Sequence, residues 1–198
     1  MGIVTADLAI SLDGFVAGPQ QSLDKPMGEG VDNRLHNWMF DEPEQNADAL
    51  AGMQAAKAYV MGRNMFGPIR GKWTGNWEGW WGAEPPYHAP VFVLTHYPRE
   101  SLTMEGGTSF TFVTDGIESA LNRALQAAGD GDVAIGGGAQ TVRQYLAAGL
   151  IDELRLHQTP AVLGAGERLL DGLTGLQLEL LAVTGNHLVS HQRYRVVK

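Results

Sequence analysis

The chain has 198 residues, enough for one full hydrophobic core, and no Pro-rich, Ser-rich or charged linker divides it, so one domain over residues 1–198 is expected. A formal charge of −8 without any Lys/Arg cluster argues against nucleic acid as a partner. The absence of cysteine removes disulfides, thiolate metal sites and a thiol nucleophile, while the lack of a basic leader or long apolar run points to a cytoplasmic protein with no membrane partner.

Residues 3–12, IVTADLAISL, read as a first buried strand closed by the turn formers Asp13 and Gly14. A long polar loop containing Trp38 follows. Asp41, Pro43 and Glu44 then have the form of a helix start, with Asp41 as N-cap and a capping box, and the helix is expected to run to Ala56 with Ala47, Leu50 and Ala51 on its buried side. AYVMG at 58–62 is a short strand, and RNMF opens another helical turn. Residues 70–90 carry four glycines, three prolines and four of the five tryptophans, which excludes a regular element.

VFVLT at 91–95 and TSFTFVT at 108–114 are β-branched and aromatic strands. Asp115 is placed to cap a helix over 116–128, with Glu118 completing a capping box and Gly129 stopping it. A short strand centred on Val133–Ile135 leads to a helix over 139–148. Strands alone follow: DELRLHQTPAVLG, LQLELLAVT and HLVSHQRYRV, the last two joined by a hairpin turn at Gly185 and Asn186. This order describes an α/β domain with a mostly parallel sheet and an antiparallel C-terminal hairpin at one side.

Between strand and helix stand Gly136, Gly137 and Gly138. Without Cβ atoms an anion can approach the main chain, where the free N–H groups of a first helical turn meet it. A tight turn for close packing explains the same residues. The dinucleotide fingerprint GxGxxG is not met, because Thr141 stands where its third glycine belongs.

Five segments in order, SLDGFVAG at 11–18, VMGRNMF at 60–66, VFVLTH at 91–96, AIGGGAQTVRQYL at 134–146 and IDELRLHQTPAVLGAGERLL at 151–170, resemble the dihydrofolate reductase superfamily. Within it they are similar to the reductase domain of the riboflavin-biosynthesis deaminase-reductase. The resemblance implies a three-layer α/β/α fold of the dihydrofolate reductase type, a mixed and mostly parallel central sheet, and a homodimer. It also implies an NADPH-dependent oxidoreductase passing hydride to a pyrimidine- or pterin-like small molecule, as 5-amino-6-(5-phosphoribosylamino)uracil reductase does.

By position in the family's motifs, Gly136, Gly137, Gly138 and Ala139 would hold the pyrophosphate of NADPH, with a cis peptide between the first two glycines in many relatives. Gly62 and Arg63 would form the second anion site, Arg63 reaching the 2′-phosphate as a charge-assisted fork. Thr95 and His96 would lie near the adenosine, and Ala9, Val16 and Ala17 near the nicotinamide. The family's threonine after the Gly-Arg pair is Met65 here, so that hydroxyl contact is lost. No catalytic acid is assigned: Asp41 and Glu42 lie at the expected helix start.

Trp77 and Trp80, in KWTGNWEGWWGAEPPYH at 72–88, together with Trp38, are candidates to stack on a planar substrate; covering a core edge or a dimer contact is the other reading of that segment. Gly164 and Gly166 could border the pocket or simply make a turn. His187 and His191 share a strand face without a third ligand, so no metal is assigned. A different class stays open: a non-catalytic nucleotide-binding or sensor protein that retains the cofactor cleft, motivated by Met65 and the missing acid.

Overall fold

The computed structural model describes residues 2–198. Eleven strands and five α-helices alternate along the described residues: β1 (Val4–Ile10), β2 (Phe15–Ala17), α1 (Asn37–Asp41), α2 (Ala47–Met53), β3 (Ala58–Gly62), α3 (Arg63–Phe66), β4 (Pro90–Leu94), β5 (Leu102–Thr103), β6 (Ser109–Val113), α4 (Ile117–Ala128), β7 (Val133–Ile135), α5 (Ala139–Ala147), β8 (Glu153–Gln158), β9 (Glu167–Arg168), β10 (Gln177–Gly185) and β11 (Ser190–Val197). Nine strands form one sheet in the order β10-β11-β8-β1-β7-β3-β4-β6-β5, and β2 pairs with β9 in a separate ribbon. The six strands from β8 to β6 are mutually parallel, whereas β11 runs antiparallel to β8, β10 to β11 and β5 to β6. The mixed, mostly parallel sheet with its C-terminal hairpin is therefore as the sequence predicts.

Each face of this sheet is covered differently. On one face Val4, Ala6, Leu8 and Ile10 of β1, with Val60, Val133 and Ile135, pack beneath the apolar stripes of α4 and α5. Leu121, Ala124, Val142, Tyr145 and Leu146 supply those stripes, and the Tyr145 hydroxyl donates to the Ile117 carbonyl at 2.7 Å. On the other face Tyr59, Met61, Val91, Val93 and Phe110 lie under Phe66 of α3 and under Trp73, Trp77 and Trp81. Irregular chain rich in tryptophan thus does there what a helix does opposite.

The region before β3 differs from expectation. The expected single helix is two short ones, Asp41 ends the first rather than capping the second, and no side-chain cap bond forms at either N-terminus. Trp38 anchors α1: it is wholly buried, its ring 5.0 Å from those of both His157 and His191. Asn46 precedes α2, but its amide donates to the Trp38 and Glu42 carbonyls instead of capping. Helix α2 buries no residue, so Ala47, Leu50 and Ala51 do not form a core face. Asp115 likewise accepts from Ser119 and Arg123 while Gly116 occupies the N-cap of α4. At the C-terminal hairpin, Gly185 still pairs with Ser190, so residues 186–189 make a four-residue loop closed by Asn186 Oδ1, which accepts from the Leu188 and Val189 N–H groups.

Candidate functional site

The carboxyl ends of β1, β7, β3, β4 and β6 converge on one cleft of about 910 Å³. Such an edge is where helices begin and main-chain donors are left free. Gly136, Gly137 and Gly138 form its floor and lead straight into α5, whose N-cap, Gly138, makes no side-chain bond. A Cβ on Gly138 would meet no atom within 4 Å, and on Gly136 only the Val60 carbonyl oxygen at 3.9 Å. The space above these glycines is open cleft, so their absent side chains leave room for a ligand rather than for the protein. The cis peptide lies between Gly137 and Gly138, one residue beyond the position implied by the family pattern.

Packing makes the opposite demand at Gly62. Its N–H donates to the Gly137 carbonyl at 2.7 Å, and an added Cβ would stand 2.3 Å from Thr141 Oγ1. Gly62 therefore holds β3, the glycine turn and α5 together. Arg63 follows at the start of α3, its guanidinium carbon 3.8 Å from the centre of the Trp73 ring and one nitrogen donating to the Gly71 carbonyl. Its Nε and Nη2 are buried and without a hydrogen-bond partner. Arg63 as a whole is half-buried, so these two unpaired donors can take an anionic acceptor from the cleft. Burial, together with Arg70 and Arg99 nearby, holds Arg63 below its ordinary pKa. Arg70 also lines the cleft, and Arg99 lies 5.0 Å from the Trp73 ring centre, so this end is cationic in a protein of net charge −8.

All eleven positions expected at a cofactor line this one cleft: Ala9, Val16, Ala17, Gly62, Arg63, Thr95, His96, Gly136, Gly137, Gly138 and Ala139. The candidate substrate positions divide. Trp80 lines the cleft and its indole donates to the Met65 carbonyl at 3.0 Å. Trp77 is one layer back, its indole held by the Phe66 carbonyl and its ring 4.6 Å from that of Trp80. Trp38 is a correction: wholly buried between α1 and the sheet, it has no surface to offer a ligand. Gly164 and Gly166 do not line the cleft either. Gly164 donates its N–H to Asp13, and at Gly166 a Cβ would strike the Ala17 carbonyl at 2.0 Å, so these glycines seat the β2–β9 ribbon. Their neighbour Glu167 is the one that reaches the wall.

Asp13 is the turn residue its sequence context suggests. Ser11 Oγ donates to it at 2.6 Å and the Gly164 and Leu163 N–H groups add to this, pulling its pKa down to about 2. His187 and His191 do not meet: His187 sits in the exposed hairpin loop facing Glu42 at 3.8 Å, and His191 packs on Trp38 and His157. Among the described residues no group of three or more His, Cys, Asp or Glu side chains could hold a metal.

Sequence reasoning missed Asp7. It stands on β1, its side chain only 8% exposed, and forms part of the cleft wall together with His36. The signal was present in the sequence, since a carboxylate inside IVTADLAISL is costly in a parallel strand covered on both faces unless it has a task.

The model of the RibD C-terminal domain matches residues 3–194. The chain belongs to the RibD C-terminal domain family. Among relatives, the uncharacterized protein YyaP of Bacillus subtilis (strain 168) is 25% identical over 170 residues, covering 84% of this chain and 79% of that one. Among solved structures, a putative riboflavin biosynthesis protein from Shewanella sp. PV-4 superposes with a TM-score of 0.68 at 23% identity, covering 99% of each chain. Dihydrofolate reductase from Enterococcus faecalis, in complex with NADP(H), superposes with a TM-score of 0.61 at 16% identity, covering 100% of this chain and 98% of that one. The fold of this RibD C-terminal domain family member is thus that of dihydrofolate reductase.

Proposed function

We propose that this protein is an NADPH-dependent reductase acting on a small pyrimidine- or pterin-like molecule, of the kind exemplified by 5-amino-6-(5-phosphoribosylamino)uracil. One observation carries the reading: a single cleft has an uncapped helix N-terminus over an open glycine floor at its centre and, at one end, a half-buried arginine with two unpaired donors. A dinucleotide with a central pyrophosphate and a terminal 2′-phosphate matches both features. When bound, NADPH supplies a hydride. The protein's residues do the rest: the N–H groups opening α5 and the glycine turn receive the pyrophosphate, and Arg63 on its Trp73 platform receives the 2′-phosphate. Thr95 and His96 flank the adenosine side, while Ala9, Val16 and Ala17 give the nicotinamide a small, apolar bed. Net negative charge would repel such a ligand at long range, so these local donors must carry its affinity.

Titrating the protein with NADPH and following cofactor fluorescence tests this. Saturable binding well below millimolar cofactor is expected; none at millimolar would remove the reading. Arg63→Gln should weaken NADPH by roughly ten- to a hundredfold, the loss of a charge-assisted bond, and NADH far less. Equal losses for both would show that Arg63 does not read the 2′-phosphate. A nucleotide-binding protein without turnover is the other reading, favoured by Met65 in place of the family's threonine; reduction of any pyrimidine or pterin with NADPH excludes it.

A further inference from the structure

Asp7 belongs to a buried polar chain that runs from the cleft wall to the sheet edge. Its register partner on β8 is Arg155, and that of Ala9 is His157, so Asp7, Arg155 and His157 share one face. His157 Nε2 lies 3.7 Å from Asp7 Oδ1, His157 Nδ1 lies 2.8 Å from His191 Nδ1, and His191 Nε2 lies 2.9 Å from Asn46 Oδ1.

The proton positions follow from the far end. Asn46 Nδ2 donates to two main-chain carbonyls, those of Trp38 and Glu42, which fixes the amide and leaves Oδ1 as an acceptor. His191 Nε2 must therefore carry hydrogen. Burial and the neighbouring His157 keep His191 neutral, pushing its pKa down to about 4, so its Nδ1 is a bare lone pair. His157 Nδ1 must then be the donor between the two rings. That leaves His157 Nε2, a buried nitrogen with no hydrogen-bond partner, facing Asp7. A lone pair opposite a carboxylate would be repulsive, and one proton between them removes the conflict. It resides on the imidazole or on the carboxyl.

We propose that Asp7 and His157 share a single exchangeable proton at the cleft wall, and that Asp7 delivers it to the substrate as general acid, with His157 positioned by His191 and Asn46. The second half rests on the reductase reading above. Reduction needs this proton. In the ribosylamino-pyrimidine case the sugar carbon bonded to nitrogen gains the hydride of a dihydronicotinamide, which is thereby oxidised. The carbon–oxygen bond of the sugar ring breaks with its electron pair on oxygen, and that oxygen takes the proton from Asp7. Solvent in the cleft restores it.

Other charged groups face the pair. Arg155 Nη1 lies 3.8 Å from Asp7 Oδ2, and Arg155 Nε donates to Glu153 Oε1. Arg193 of β11 and Tyr59 of β3 feel the charge of Asp7, and His36, before α1, feels that of His157.

Long-range 1H–15N spectra of the histidines, with 13C-labelled aspartate, decide the shared proton in the ligand-free protein. His157 Nε2 and the Asp7 carboxyl carbon are expected to move together in one titration step, and in Asp7→Asn His157 should show hydrogen on Nδ1 alone at neutral pH. Hydrogen on Nε2 with a bare Nδ1, or independent titration of the two groups, overturns the proposal. With NADPH and 5-amino-6-(5-phosphoribosylamino)uracil, Asp7→Asn should slow hydride transfer at least about 100-fold and leave the NADPH dissociation constant within about twofold. His157→Gln should shift the pH profile of the same step. Wild-type rates in Asp7→Asn refute the acid. Failure of the wild type to bind NADPH or reduce the probe strikes the reductase reading instead, and the spectra still decide the shared proton.

Discussion

Gly136 and Gly62 end adjacent strands and both line the cleft, yet a methyl group on each would meet opposite surroundings. At Gly136 the backbone lies outside the left-handed region and a Cβ would make one ordinary contact, so alanine fits the fold and intrudes on the ligand. Gly136→Ala should leave the unfolding free energy from urea denaturation unchanged within about 0.5 kcal/mol while weakening NADPH at least about tenfold. At Gly62 the added carbon collides with Thr141, and α5 must move away from β3. Gly62→Ala should cost about 1–3 kcal/mol of stability as well as affinity. The reverse pattern would mean that the glycine turn is a packing device. A run of glycines in a sequence cannot distinguish these two roles, because what each missing side chain would touch is decided by strands and helices brought together from distant parts of the chain. Asp7 was hidden for a related reason: its partners, His157 and Arg155, come from a strand about 150 positions later.

Elements whose apolar face is periodic were legible, and those held by a single tertiary contact were not. Ile117, Leu121, Ala124, Leu125 and Ala128 mark α4 unaided, and Val142, Tyr145 and Leu146 mark α5. The cap pattern at residues 41–44 misled because Trp38, driven into the space over His157 and His191, winds the chain into helix one turn earlier, and Asn46 then spends its amide holding that turn. Capping contributes only about 1 kcal/mol, less than burying an indole. The tryptophan-rich segment divides the same way. Trp81 also touches the cleft, but it stacks on Phe110 at 5.8 Å and meets Tyr87 edge-on, so Trp81→Ala should lose about 2 kcal/mol or more in urea denaturation. Trp80→Ala should lose less stability and instead weaken ligand binding measured by fluorescence titration. Equal stability losses with unaltered binding would make the whole segment a core cover.

Across the whole molecule, buried histidines and paired carboxylates respond to acid in separate pH ranges. His191 has its pKa pushed down to about 4 by burial and by His157, and His36 is lowered for the same two reasons. A folded-state pKa below the unfolded value of about 6.5 means that the unfolded chain takes up the proton first. The stabilisation from a neutral His191 is therefore complete above pH 6.5 and is lost as the pH falls toward 4. Asp152 and Glu153 are also lowered; burial opposes this, but Lys198 and the Val4 N–H act on the first, and Arg193 and Arg155 act on the second. Their contribution persists to more acidic solution and is lost only below the ordinary carboxylate range. Urea midpoints measured from pH 8 to pH 3 should fall in two stages, and His191→Gln should shrink the first while sparing the second. A single loss confined below about pH 4.5 in the wild type would show that His191 is protonated and accommodated in the fold. His191 Nδ1 would then donate to His157 Nδ1, while Asn46 Oδ1 still accepts from His191 Nε2.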